Sequence, residues 1–342
     1  MTLSIIIVTF KSARFIENCL HSILNDASLP KTEVIVSDNF SQDGTLAIIR
    51  TKFPSVKIIE NKQNLGFGAA NNRGFQHGKG EYVLFLNDDA VVKPGALARL
   101  VSFMDANSDA GVVGPRLLYP DGTHQRSIVR FPSIWVDMFR ALVPRTIEIN
   151  TPITRPFFRA YAKLLGFKSF GSFSDHSCER DVDCVLGACL LTRRSILDHV
   201  GGFDENIFLW CEENELCLRI RQCGWRIVYY PDAEVIHLGG STQGRITEPI
   251  PKRMIVQKYK SSLYFYEKHT SNLNVAFYKL GMGTIFILRF VFLTMHLCFS
   301  TPNKKHSKLA EREASWAIVK IFFDPNYRRQ NVYTEMKFKY LE

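Results

Sequence analysis

Residues 82–89 read Tyr82-Val83-Leu84-Phe85-Leu86-Asn87-Asp88-Asp89, an apolar run that stops at two adjacent carboxylates. An uninterrupted apolar run of this length marks a strand covered on both faces, as in a parallel sheet flanked by helices. Open sheets of that kind bind ligands beyond the carboxyl ends of their strands. Asp88 and Asp89 stand at such an end, where one or two carboxylates hold a hard divalent cation and leave positions for substrate phosphates. Asn and Asp also end strands in ordinary turns. The metal reading of this stretch therefore depends on agreement from the rest of the chain.

Upstream, β-branched apolar runs predict strands at Ser4–Val8, Glu33–Val36 and Val56–Ile59. Helical periods lie between them, as in Ala13–Leu24, where Phe15, Ile16, Cys19, Leu20 and Ile23 share a face. Downstream, a helix is expected over Pro94–Asp105, with proline near its first turn. Regular patterns return at Val182–Leu191, at a helix over Glu212–Cys223 and at a strand over Arg226–Tyr230. Strands alternating with helices imply an α/β fold with a Rossmann-like, mostly parallel central sheet flanked by helices, here over residues 1–248. Residues 119–180 lack a clear period and are expected to form a partly helical excursion, either a lid over the site or a surface insertion.

The chain has 342 residues, enough for one extended α/β domain and an appendage. Hydrophobic content of 46% and charged content of 22% place it among folded proteins. The net charge of +10 favours an anionic partner. Eight cysteines without a Cys-x-x-Cys pair give no zinc module or disulfide framework. Cys211, Cys217 and Cys223 are expected to be reduced core thiols, which suits a cytoplasmic protein. The first residues read as a strand, with neither a basic start nor a cleavage pattern of a leader peptide.

Residues 249–342 change character. Lys252, Arg253, Lys258, Lys260 and Lys268 surround Tyr259, Tyr264, Phe265 and Tyr266, and an apolar stretch follows from Leu280 to Phe299, interrupted by Arg289 and His296. The stretch approaches bilayer-spanning length, but a mid-span arginine is costly. Basic and aromatic flanks suit the headgroup region of an anionic leaflet. A helical, membrane-associating extension is expected, with a true span or an ordinary buried helix as the other readings. No nucleic-acid partner is expected, because the basic residues adjoin an apolar run and form no known binding module.

Several further motifs carry chemistry. Asp38 follows Val34-Ile35-Val36 and lies at the carboxyl edge of a strand beside the first, where a carboxylate accepts the N3–H of uracil or thymine. Asp43-Gly44-Thr45 reads as a turn opening the next helix. In Asn64-Leu65-Gly66-Phe67-Gly68-Ala69-Ala70-Asn71-Asn72-Arg73-Gly74, the glycines permit close backbone approach and Asn71 and Asn72 supply amides. Neither a Walker loop nor a dinucleotide fingerprint is present.

The order of these motifs resembles the family 2 glycosyltransferases, which use a GT-A fold and a nucleotide-sugar donor. The matching pieces are the first strand, Ser37-Asp38-Asn39, Asp43-Gly44-Thr45, Leu65 to Gly74, Phe85 to Ala90, Gly187 to Arg194, Gly201 to Glu205, Glu212 to Arg219 and His237-Leu238-Gly239-Gly240. They cover about residues 3–245, and the forms at Gly66–Gly74 and Glu212–Arg219 are most similar to the rhamnosyltransferase branch. The resemblance implies that Thr9, Asp38, Gly66, Asn71, Asn72 and Asp88 line the nucleotide-sugar side. It implies that Asp89, with Asn87 or Asp88, and His237 meet Mg2+ or Mn2+ and the diphosphate, and that Asp204 and Glu215 lie on the acceptor side. The family's base is the aspartate of a Glu-Asp pair; this chain has Glu212-Glu213, and Glu213 is expected to deprotonate the acceptor hydroxyl. A glutamate at a helix start also simply favours the helix dipole.

The expected activity is inverting, metal-dependent transfer of one sugar, rhamnose from dTDP-rhamnose, to a lipid-linked saccharide of surface polysaccharide synthesis, on the inner face of the cell membrane. Two other readings share the motifs: a UDP-hexose or UDP-N-acetylhexosamine transferase, and an inert nucleotide-sugar or saccharide binding subunit.

Overall fold

The computed structural model describes residues 2–142, 177–239, 252–298 and 302–329. The chain divides into two compact units, Met1–Phe131 with Cys178–Ile250 and Pro132–Ser177 with Pro251–Glu342.

In the first unit the elements run β1 (Leu3–Thr9), α1 (Ile16–Leu24), β2 (Thr32–Asp38), α2 (Thr45–Lys52), β3 (Lys57–Glu60), α3 (Phe67–His77), β4 (Tyr82–Asn87), β5 (Ala90–Val92) and α4 (Ala96–Ala106). After β6 (Ala110–Leu118) come the short β7 (His124–Gln125) and β8 (Ile128–Val129). In the second unit lies α5 (Ile134–Leu142); the first resumes with β9 (Arg180–Asp181), β10 (Cys184–Val185) and β11 (Cys189–Arg193). It ends with α6 (Arg194–Val200), α7 (Glu212–Gln222) and β12 (Arg226–His237).

The main sheet has the order β3-β2-β1-β4-β11-β6-β12-β5. The half built from β3, β2, β1 and β4 is parallel, whereas β11 runs antiparallel to both β4 and β6, and β5 runs antiparallel to β12. The sheet is thus mixed, with a parallel half that carries four of the predicted strands, while the strand predicted over Arg226–Tyr230 lies in the other half. Leu3, Ile5 and Ile7 of β1 join one core with Ile16, Leu20 and Ile23 of α1, Ile49 of α2 and Leu97 and Leu100 of α4. Ile6 points to the opposite face, where α3 lies so close that a Cβ on Gly74 would stand 2.4 Å from its Cγ2. Each such fully buried aliphatic side chain contributes roughly 1.5–3 kcal/mol.

Three boundaries differ from the sequence expectation for physical reasons. Helix α1 starts at Ile16, not Ala13, because the amides of Ser12 and Ala13 are held by Thr45 Oγ1 and Asp43 Oδ2. Helix α4 starts at Ala96, after Gly95 in the left-handed conformation. Strand β12 continues through Pro231 to His237, because an irregularity between Tyr230 and Glu234 absorbs the residues that look like a break. The cysteine expectation also needs correction: Cys217 is buried, but Cys211 is half-buried and Cys223 exposed, near the two ends of α7. Much of the expected lid, residues 143–176, lies outside the described residues.

The second unit contains α5 together with α8 (Lys252–His269), α9 (Asn272–Leu297), α10 (Pro302–Phe323) and α11 (Pro325–Arg329). Val275, Tyr278, Met282, Phe286 and Leu293 form the buried side of α9. Tyr278 meets the ring of Phe322 from α10, and Tyr259 of α8 meets Phe286. The opposite side of α9 is exposed and apolar, and α9 alone among the described helices is long and apolar enough to cross a membrane.

Candidate active site

The carboxyl ends of β1, β2 and β4 and the last residues of β12 gather the polar groups. Thr9 and Asp38 are register partners on β1 and β2, and Thr9 Oγ1 donates to Asp38 Oδ1 at 2.8 Å. The Ser41 amide donates to Asp38 Oδ2 at 2.9 Å. Asp38 is thereby fixed while each oxygen keeps a second lone pair. Asp43 accepts from the Thr45 amide and hydroxyl, at 3.2 and 2.6 Å, as its turn reading requires.

The Asn64–Gly74 segment packs closely against other parts of the chain. Gly66 has φ +87°, and a Cβ there would come within 2.3 Å of the Phe208 carbonyl oxygen. Asn72 Nδ2 donates to the Phe203 carbonyl and to Glu205, at 2.9 and 3.0 Å, while its Oδ1 accepts from the Phe203 amide. The close approaches that Gly66, Gly68 and Asn72 allow are to the chain's own loop 201–208. Asn71 is buried, and its Oδ1 has no partner within the protein.

Asn87, Asp88 and Asp89 follow the apolar run of β4. Strand β12 pairs His237 with Ala90, which brings the imidazole Nε2 to 3.2 Å from Asp89 Oδ1 and 3.2 Å from Asn87 Nδ2. Asp88 turns the other way and accepts from the Ser12 hydroxyl. Loss of solvation, then repulsion from Asp89, pushes the Asp88 carboxyl up to about 7 against the pull of Ser12 and His237. Among the described residues no group of three or more His, Cys, Asp and Glu forms a closed metal cage. Asp89 and His237 nevertheless fit a divalent ion that keeps waters and takes substrate oxygens, since such an ion needs only one or two protein carboxylates.

Helix α7 opens with Glu212, Glu213 and Glu215, and the three have different surroundings. Glu212 is buried, and its Oε2 has no hydrogen-bond partner among the described residues. Burial, reinforced by Glu213, holds its carboxyl well above the usual range. Glu213 is half-buried beside Gly187; burial also raises it, opposed by its own backbone N–H and by Arg126. Glu215 has a partner within its own helix. It is fully buried and paired with Arg219 at 2.6 Å, and Arg219 also donates to the carbonyls of Val200 and Gly202. It ties α7 to the preceding turn. Asp204 accepts from the Asn206 amide at 3.0 Å and closes the turn at residues 204–206.

Sequence reasoning missed several features. Trp210 and Cys211 both have φ +70°, and Lys11 and Phe40 have φ +58° and +66°. All four non-glycine residues with positive φ among the described residues thus lie just beyond β1, just beyond β2 or just before α7. Such strained positions cost about 1–3 kcal/mol each and concentrate at functional sites. Nothing in their side chains announces the conformation. Gln125, buried against His237, was also missed.

The description Glycosyl transferase family 2 matches residues 4–166. The N-acetylglucosaminyl-diphospho-decaprenol L-rhamnosyltransferase of Mycobacterium tuberculosis is 30% identical over 274 residues, 77% of this chain and 83% of that protein. Rhamnosyltransferase WbbL of Escherichia coli is 28% identical over 50% of this chain and 60% of its own. The mannosyltransferase PcManGT of Pyrobaculum calidifontis, solved with GDP-Man and Mn2+, superposes with a TM-score of 0.53 at 16% identity, covering 94% of this chain and 87% of that one. With its mixed, mostly parallel central sheet, flanking helices and C-terminal helices, the chain belongs to family 2 of the glycosyltransferases and has their GT-A fold.

Proposed function

We propose that the protein transfers a single rhamnose from dTDP-rhamnose, with inversion, to a lipid-linked saccharide. The observation that carries the chemistry is the pairing of Asp89 with His237 at the carboxyl ends of the strands, in a unit that also presents the raised Glu213 carboxylate. The sugar and acceptor class rest on the rhamnosyltransferase names of the relatives. Asp38, held by Thr9 and Ser41, accepts the N3–H of the pyrimidine. Asp89 and His237 hold the divalent ion, which when bound supplies positive charge to the departing diphosphate. Glu213 takes the proton of the acceptor hydroxyl as its oxygen bonds to the anomeric carbon, and the bond from that carbon to the diphosphate oxygen breaks. Burial and Glu213 disfavour the charged form of Glu212, so that a negative charge on the pair is favoured on Glu213.

Calorimetric titration with dTDP- and UDP-sugars, with and without Mn2+, tests the donor. Metal-dependent binding of dTDP-rhamnose is expected; preference for a UDP-sugar overturns the rhamnosyl assignment.

The second unit supplies the place of action. Pro132–Ser177 and Pro251–Glu342 contain 22 Lys and Arg against 9 Asp and Glu, while the rest of the chain contains 21 against 24. The whole basic excess therefore resides in the unit that exposes Leu273, Leu280, Leu288, Val291, Phe292 and Met295 along α9. A helix packed along one side and apolar on the other suits lying in the interface of an anionic leaflet. Sedimentation with phosphatidylglycerol vesicles is expected to deplete the protein from solution. The double substitution Leu280→Glu, Leu288→Glu should abolish that, and unchanged sedimentation would remove α9 from the binding face.

A further inference from the structure

We infer that Gln125 is a positioning residue that fixes the protonation site and orientation of His237, and so prepares Nε2 as a metal ligand. The inference rests on the proposed assignment of Asp89 and His237 to the metal.

The sheet puts Gln125 and His237 on one face. Gln125 on β7 pairs with Leu117 of β6, whose partner on β12 is Val235, and His237 lies two residues farther along the same face. Both side chains are buried, with 3% and 5% of their surface exposed. Gln125 Nε2 donates to the His237 backbone carbonyl at 3.2 Å, and its Oε1 lies 2.8 Å from His237 Nδ1. Reversing the amide would turn Oε1 onto that carbonyl, two acceptors face to face. The orientation is therefore set by the backbone. Oε1 can only accept, so Nδ1 must carry the proton.

The other nitrogen follows from this. With hydrogen on Nδ1, Nε2 of the neutral ring presents a lone pair, which accepts from Asn87 Nδ2 at 3.2 Å and stands 3.2 Å from Asp89 Oδ1. A lone pair and a carboxylate oxygen at that separation repel each other unless a cation serves both. This is the arrangement in which a ligating histidine donates its second N–H to an outer partner, which fixes the ring and raises its basicity. Room for Gln125 comes from Gly239, where φ is +65° and a Cβ would approach Gln125 Nε2 to 3.1 Å.

The test uses the full chain with ring-15N histidine. Long-range 1H–15N spectra should show His237 as the Nδ1–H tautomer in the wild type and as a tautomer mixture in Gln125→Leu. With dTDP present, paramagnetic resonance of free Mn2+ should report at least about tenfold weaker binding in Gln125→Leu. Gln125→Glu, whose carboxylate still accepts from Nδ1–H although its other oxygen faces the His237 carbonyl, should keep the Nδ1–H tautomer that Gln125→Leu loses. An Nε2–H tautomer in the wild type, or wild-type Mn2+ affinity in Gln125→Leu, overturns the inference. An Nδ1–H ring in a wild type that does not bind Mn2+ would instead remove the metal assignment and leave the tautomer assignment standing.

Discussion

Among the pairs of adjacent carboxylates in this molecule, Asp88-Asp89 after β4 and Glu212-Glu213 at the start of α7 have contrasting surroundings. The first pair is divided between separate partners: Asp88 takes the Ser12 hydroxyl, and Asp89 faces His237. The second pair is left together, with one Glu212 oxygen unpartnered and both carboxyls pushed up by burial. A pair of which one member faces an imidazole and the other a hydroxyl is suited to meeting a cation, whose charge would offset the burial and mutual repulsion that push Asp88 up to about 7. A pair with one uncompensated oxygen in a poor solvent environment is suited to exchanging a proton, because its charged form is disfavoured. The difference predicts separable losses when each is damaged.

The largest is Glu213→Gln. It should lower kcat by about 10²–10⁴-fold, the usual worth of a positioned general base, and leave donor affinity unchanged. Parallel loss of turnover and donor binding would erase the distinction between the pairs. Glu215→Ala is the control within the same helix turn. It leaves Arg219 without its partner in a buried setting, and removing one member of a buried ion pair costs about 3–5 kcal/mol. Denaturant unfolding should show that loss, while the folded fraction keeps its donor affinity. Asp89→Ala follows in size, with Mn2+-dependent donor binding weakened by roughly tenfold or more. If its donor titration remained metal-dependent as in wild type, Asp89 would be no ligand.

Which parts of this were readable beforehand has a physical pattern. Tyr82–Leu86 and Ser4–Val8 declared themselves because burial on both faces demands apolar residues throughout, a constraint that acts locally. The end of β4 was readable for the same reason, since the change from Leu86 to Asn87-Asp88-Asp89 marks where the core stops. Asp38 followed from its strand. Strand β12 was foreseen only to Tyr230, because Pro231 signals a break, and only pairing with β6 and β5 shows that a bulge carries the chain on to His237. Gln125 could not be found from its neighbours: it sits on a two-residue strand, and its importance arises from a histidine 112 positions away. The glycines of 66–74 were noticed as places of close approach, but which group approaches is a tertiary fact, and Phe208, Phe203 and Ile6 fill those places. The ion pair of Glu215 could not be read beforehand, because three glutamates at a helix start look alike until burial and Arg219 separate them. Trp210 and Cys211 gave no warning, since neither residue type favours the left-handed conformation.

The smallest predicted effect bears most directly on how the glutamate pair works. Glu213 must be deprotonated to take a proton, and burial raises its carboxyl, so kcat/KM should fall on the acid side at a pH above the ordinary carboxylate range. Arg126 opposes that rise through its positive charge. Arg126→Gln should therefore raise Glu213 further and move the acid limb to higher pH. Activity would fall in mildly acidic buffer and be retained on the alkaline plateau. The sign separates this from a binding role for Arg126, which would lower kcat/KM at every pH without moving the limb. A limb that stayed in place in Arg126→Gln but vanished in Glu213→Gln would keep Glu213 as the base and discard the electrostatic account of its tuning. A limb that persisted unchanged in the residual activity of Glu213→Gln would assign the titration to another group and leave the contrast between the two pairs without a functional meaning.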